Sequence, residues 1–230
     1  MGAPFANQRA EVLTVSKDLS MRIFKPRTRA AGLVVAALFC AFGAWAFAAG
    51  AGVEAKRAAD RRAEGLAAWG QVYTVLTHPR CINCHTATNY PQQGDERRRH
   101  FANVVRGPDG HGVPGLNCVS CHQRSNADST GVPGGPDWHL APLSMRWQDE
   151  DDRPLPSATV CRQVTDPKRN GRMSAQALLK HHEEAELVLW AWEPGRRLDG
   201  TARATPPLTH TEFAAATRRW VEAGTPCPAP

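Results

Sequence analysis

The hydrophobic and polar positions of this chain fall into stretches of different rhythm. Met1 to Ser20 is mixed and polar, and Arg22, Lys25, Arg27 and Arg29 then lead into Ala31–Val53, 23 residues without a charge. That run is long enough to span a bilayer with some tilt. From Glu54 to Thr77 the apolar side chains of Leu66, Trp69, Tyr73 and Leu76 recur at steps of three and four. This spacing predicts an amphipathic helix, stopped by Pro79. Between Thr86 and Pro156 the period disappears. Runs such as Arg106-Gly107-Pro108-Asp109-Gly110-His111-Gly112 and Val132-Pro133-Gly134-Gly135-Pro136 interrupt helices and strands alike. Helical period returns over Ser174–Trp192, with Leu178, Ala185, Val188, Leu189 and Trp192 on one side and Pro194-Gly195 ending it. A last helix opens on a capping box, Thr209 with Glu212 at its third position. Its inner stripe is Phe213, Thr217, Trp220 and Val221, and Gly224 stops it. The pattern predicts a mainly α, loop-rich single domain over 54–230, behind an N-terminal signal or transmembrane helix over 30–53 and a leader over 1–29. A structureless stretch as long as 86–156 argues against a compact domain unless something other than polypeptide fills its centre.

Two short motifs in and beside that stretch supply the something. Cys81-Ile82-Asn83-Cys84-His85 and Cys118-Val119-Ser120-Cys121-His122 are the same five-residue pattern, 37 positions apart. Cys-x-x-Cys-His is the attachment pattern for c-type haem. Cys81 and Cys84, and again Cys118 and Cys121, reach the two vinyl groups on one porphyrin edge, while His85 and His122 turn an imidazole to the iron. Zinc bound by two Cys-x-x-Cys pairs leaves the twin histidines unexplained. A thioredoxin-like dithiol needs a strand–helix context that the pattern lacks. The expected cofactors are therefore two covalent haem c groups, around which one loop-rich cytochrome domain wraps.

Charge narrows the setting. The formal net charge is +6, but six basic residues against two acidic ones lie before Ala49, leaving about +2 for the remainder. No basic footprint for nucleic acid is present. The basic residues ahead of the apolar run have the layout of an export signal, and Met21 is an alternative start that would place them first. Ala46-Phe47-Ala48 and Ala49-Gly50-Ala51 both suit cleavage. Cut or uncut, the segment places the body outside the cytoplasmic membrane, in the periplasm or anchored to the inner membrane by 30–53. In such an oxidising compartment Cys161 and Cys227, the two cysteines left in the body, are expected to pair.

The sixth iron ligand separates an electron carrier from a binding or catalytic haem. Met145, in a Pro-bearing loop, is one candidate, against the simpler reading of a gap-filling core methionine. His139, in the same loop, is another; otherwise it bonds a propionate or a backbone carbonyl. His100 and His111 lie between the motifs and near a haem, as ligands or as solvated or propionate-bonding side chains. His181 and His182 read as wall histidines, Met173 as exposed, and His78 and His210 as solvent or capping residues.

The doubled motif, the export segment and the Gly/Pro-rich wrap resemble small bacterial dihaem c-type cytochromes. The wider pattern is similar to cytochrome proteins labelled as subunits of isoquinoline 1-oxidoreductase. It is carried by His78-Pro79-Arg80-Cys81, Arg106-Gly107-Pro108-Asp109-Gly110-His111-Gly112, Trp138-His139-Leu140-Ala141-Pro142 and Trp190-Ala191-Trp192, over residues 66 to 228. The resemblance implies a redox partner, a dehydrogenase such as a molybdenum hydroxylase or another cytochrome, with the molybdopterin and iron–sulfur groups in partner subunits. The expected function is periplasmic electron transfer without substrate chemistry in this chain. The alternatives are a dihaem enzyme or gas- or peroxide-binding protein with one open haem, and a haem-stabilised binding module without a redox task.

Overall fold

The computed structural model describes the backbone of residues 29–230 and the side chains from residue 50 onward. The leader over 1–29 and nearly all of the signal or anchor segment over 30–53 lie outside the residues whose side chains are described. Among the described residues no helix is long and apolar enough to cross a membrane. The chain divides into compact units at Gly52/Val53, and both Cys-x-x-Cys-His motifs belong to the second, 53–230.

This second unit is largely α-helical, with long loops. Helix α1 (Arg29–Leu76) ends one turn before the first Cys-x-x-Cys-His motif. Pro79 both prevents its continuation and opens α2 (Pro79–Ile82) at the first helical position, where a missing N–H costs nothing. Two antiparallel two-residue ladders come next, β1 (Gln92–Gln93) with β2 (Arg98–Arg99) and β3 (Gly112–Val113) with β4 (Leu116–Asn117). Beyond them the chain runs irregularly to α3 (Ser157–Thr165), α4 (Ala175–Glu184), α5 (Glu186–Leu189) and α6 (His210–Glu222).

The core lies where α1, α3, α4 and α6 meet. Trp69, Val72 and Val75 of α1 pack with Val160 of α3, Leu178 of α4, and Phe213 and Trp220 of α6. Trp69 and Trp220 have ring centroids 4.8 Å apart and no exposed surface. Each buried indole N–H finds an acceptor, Ser157 Oγ at 2.8 Å for Trp69 and the Pro226 carbonyl at 3.0 Å for Trp220. The expected stripe of α1 is thus rotated slightly. Trp69 and Leu76 are buried, Leu66 and Tyr73 half-buried, and Val72 and Val75 take the deepest positions. Gly65 lets α1 reach the C-terminal segment, because a Cβ there would press on Ala223 and Pro226. Cys161 of α3 is bonded to Cys227, tying that segment down across 66 residues.

Two sequence-based expectations are corrected by the fold. The helix expected over Ser174–Trp192 breaks at Ala185, whose ψ of 123° ends α4 and caps α5. The break turns Trp190 and Trp192 off the α4 axis, so that their indole N–H groups reach Asn126 Oδ1 at 3.0 Å and the Leu208 carbonyl at 2.7 Å. Leu189, expected inside, is exposed as a consequence. Met173 is not exposed but half-buried against the core. The last helix has the expected capping box, with Thr209 and Glu212 exchanging hydrogen bonds, and it stops at Gly224, φ +85°.

Candidate functional site

The two Cys-x-x-Cys-His segments fold into the same turn. In the first, the Cys84 and His85 N–H groups donate to the Cys81 carbonyl at 3.2 and 3.1 Å. In the second, those of Cys121 and His122 donate to the Cys118 carbonyl at 3.2 and 3.0 Å. Each turn has a side-chain cap, His78 accepting from the Arg80 N–H and Asn117 accepting from the Val119 N–H. His78 is thereby a capping residue, one of the two roles expected for it. A turn of this kind brings both thiols and the imidazole of one motif to neighbouring points of its surface.

The likeness extends to what holds each histidine. His85 Nδ1 is 2.7 Å from the Met145 carbonyl, and His122 Nδ1 is 2.7 Å from the Pro133 carbonyl. A carbonyl can only accept, so both rings carry their proton on Nδ1 and keep the Nε2 lone pair free for a metal. Each ring also lies flat on a tryptophan. His85 stacks on Trp147 at 3.4 Å and 5°, and His122 on Trp138 at 4.5 Å and 3°. Burial drives His85 down to about 3, against the opposing hydrogen bond to Met145. Burial lowers His122 as well, and neighbouring His100 adds to the effect. Both rings are neutral at neutral pH.

The surroundings of the two motifs differ. Cys81, Cys84 and His85 open into a cavity of about 350 Å³, walled by Leu76, Trp147, Val164, Leu178, Trp190, Trp192 and Phe213. The Cys81 thiol is pushed up to about 12 by burial, reinforced by Cys84, and the Cys84 thiol to about 11 by burial. The second motif sits at the surface, with Cys121, Val119 and nearby Leu116 and Phe101 exposed. All four motif cysteines are unpaired thiols, in contrast to Cys161 and Cys227. The motifs are neighbours in space, since Cys118 contributes to the rise of the Cys84 thiol. Trp138 joins them, with one face on His122 and its ring centroid 4.8 Å from that of Trp190, at 85°, in the wall of the first cavity, which Trp138 also lines.

The connecting loops are fixed by arginines and glycines. The buried Arg106 guanidinium donates to the carbonyls of Thr86, at 3.0 Å, and of Thr88 and Ala141. Gly107, at φ +69°, leaves no room for a Cβ beside the Gly112 carbonyl. Arg80, buried beside the first motif, pairs with Asp95, which also holds Arg197.

The four candidates for a further ligand occupy different settings. Met145 is buried and lines the cavity, but its carbonyl grips His85, which puts its backbone on the side of that ring away from any metal at Nε2. His139 lines the cavity and bonds the Asp137 carbonyl at 2.5 Å, which is the carbonyl-bonding alternative to a ligand. His111 stacks on His139 at 4.8 Å and bonds Asp137 at 3.1 Å. Burial lowers His111, but the hydrogen bond to Asp137 and the charge of Asp109 outweigh this and raise it. His111, Asp137 and His139 thus form a half-exposed cluster in which His111 Nδ1 has no hydrogen-bond partner. His100 stands 5.9 Å from His122 between ring centroids, with its Nδ1 on the Phe101 carbonyl at 2.8 Å and its Nε2 free. Two imidazoles sharing one metal at ~2 Å bond length stand ~6 Å apart centre to centre.

The donor set fits a covalently attached metalloporphyrin. Each motif offers two unpaired thiols and one neutral imidazole on a rigid turn. At the first, the apolar cavity also presents unsatisfied polar atoms, Arg80 Nε and Trp147 Nε1, beside the motif. Such buried donors without partners call for an acceptor, and a porphyrin carboxylate is one. The roles of Trp138, Trp147 and Arg80 emerge only in three dimensions. Trp138 and Arg80 do fall within the stretches that carry the cytochrome resemblance, but no spacing or residue type marks them as a bridge or a buried donor. Comparison with protein-family models, with curated proteins and with solved structures finds no match for this chain.

Proposed function

We propose that this chain is an electron-transfer protein carrying two covalently attached c-type haems, one at Cys81, Cys84 and His85 and the other at Cys118, Cys121 and His122. The observation that carries the reading is the duplicated support of the two histidines. Each has Nδ1 on a backbone carbonyl at 2.7 Å and one face on a tryptophan. A zinc site or a redox dithiol needs neither a fifth-position histidine nor its fixed tautomer.

A bound haem supplies an iron that cycles between ferric and ferrous states. The chain's own part is to fix, insulate and connect. His85 and His122 stay neutral and aimed, Arg80 faces a buried acceptor, and the apolar wall of the first cavity excludes water. His100 stands opposite His122 at a spacing suited to a shared metal. Trp138, packed on His122 and lining the first cavity, forms a continuous aromatic bridge between the two sites. The exposed second motif is the face at which a redox partner, a dehydrogenase such as a molybdenum hydroxylase or another cytochrome, exchanges electrons. The Cys161–Cys227 disulfide and the basic leader before the apolar run support a periplasmic or membrane-anchored location.

The test is the haem content of the full chain made in a host that attaches c-type haem. The expected result is two covalent haems and two one-electron steps in a potentiometric titration. Cys81→Ala/Cys84→Ala and Cys118→Ala/Cys121→Ala should each remove one haem and one step. Protein without covalent haem, or with zinc at the motifs, overturns the reading.

A further inference from the structure

We propose that His181 is the sixth iron ligand of the first haem, facing His85 across the cavity. This rests on the reading of the first motif as a haem site. Five side chains in the cavity wall besides His85 could donate to iron: Met145, Met173, His139, His181 and His182. Four of them are otherwise engaged. Met145 belongs to the His85 side through its carbonyl, and Met173 packs into the core. His139 is held by Asp137 and stacked on His111. His182 is fully buried, with Nδ1 on Thr217 Oγ1 at 3.1 Å and its ring against Phe213 at 4.7 Å.

Of the three imidazoles, His181 alone has no hydrogen bond at either ring nitrogen among the described residues. The residue is exposed where its neighbour His182 is buried, so its ring is open to a ligand. It follows Leu178 by three residues on α4, so both project from one face of the helix, and both line the cavity. The break at Ala185 comes just after it. The wall therefore continues from His181 through Leu187 and Val188 to Trp190 rather than running off along a straight helix. A haem between His85 and His181 is coordinatively full, and this pocket then serves electron transfer rather than capture of a small molecule.

The experiment is low-temperature EPR and ligand-binding absorbance on the two-haem protein, comparing wild type, His181→Ala and His182→Ala. The expected result is a first haem that is low-spin in wild type and in His182→Ala. In His181→Ala it becomes high-spin and gains affinity for added imidazole or cyanide at one haem per chain. Should His181→Ala fail to fold, near-infrared magnetic circular dichroism of Cys118→Ala/Cys121→Ala, which holds the first haem alone, gives the same answer. A bis-histidine band supports the proposal; a histidine–methionine band or a high-spin iron overturns it. A His181→Ala protein with two haems and unchanged low-spin signals also overturns it and leaves the haem reading intact. Fewer than two covalent haems in wild type strikes the haem reading itself.

Discussion

Two adjacent residues, His181 and His182, show how far apart neighbouring side chains can be in role. His182 is buried against α6, and burial takes its imidazole down to about 3 from 6.5. The unfolded chain therefore binds a proton below pH 6.5 that the folded chain refuses. The stability this position contributes is complete above pH 6.5 and is lost as pH falls toward 3. Denaturant midpoints of the haem-loaded protein should drop between pH 7 and pH 4, and more steeply than those of His182→Gln. Equal slopes would mean that His182 does not set the acid sensitivity. At this scale spacing is legible where chemistry would dictate it: the interval of Cys81, Cys84 and His85 is the one that a porphyrin edge and an axial position would demand. The sequence was silent on Trp147, the Met145 carbonyl and the freedom of His181. Those depend on which segments, tens of residues away, come to rest beside each ring.

At the scale of elements, what could be read in advance is what local energetics decides. The capping box of α6 forms as its residues suggest, because Thr209 and Glu212 satisfy each other's orphan N–H groups without help from the rest of the fold. Thr209→Ala should lower stability by about 1 kcal/mol, with Thr209→Ser recovering most of it, as thermal unfolding will record. The same local reasoning extended one helix from Ser174 to Trp192 and missed the break at Ala185. Alanine is a good helix former, so nothing local marks the position. What decides it is tertiary: two indole N–H groups gain acceptors, Asn126 and the Leu208 carbonyl, that a straight helix would not bring within reach. The rotation of the α1 stripe toward Val72 and Val75 has the same origin, since the deepest positions are set by where α6 packs.

For the whole molecule, an irregular segment between Thr86 and Pro156 joins the helical core through Met145 and Trp147, and the C-terminal tail is anchored to that core by a covalent bond. The Cys161–Cys227 bond closes a loop of 66 residues and fixes the C-terminal segment that Gly65 of α1 and Trp220 of α6 both touch. By loop entropy its removal in Cys161→Ser/Cys227→Ser should cost about 4 kcal/mol, measured by denaturant unfolding of oxidised protein. A loss below about 1 kcal/mol would mean that packing alone holds the tail. The division between helical segments and a long irregular stretch was legible from composition, because Gly and Pro runs interrupt regular elements. The pairing of the motifs through Trp138 was not, since it rests on contacts no period records.

The enclosure of the first motif also dictates an order of events. Its walls come from Val164 to Phe213, later in the chain than Cys81 and Cys84, and the disulfide secures the end that packs behind them. Once these close, both half-buried thiols face the cavity and are pushed far above neutral pH, which leaves almost no thiolate to react. On the haem reading proposed above, attachment at the first motif would have to happen on a chain still open, before α4 to α6 fold over it, whereas the exposed second motif stays reachable throughout. Maturation on that reading is a race between cofactor delivery and folding, and the race is run at Cys81 and Cys84.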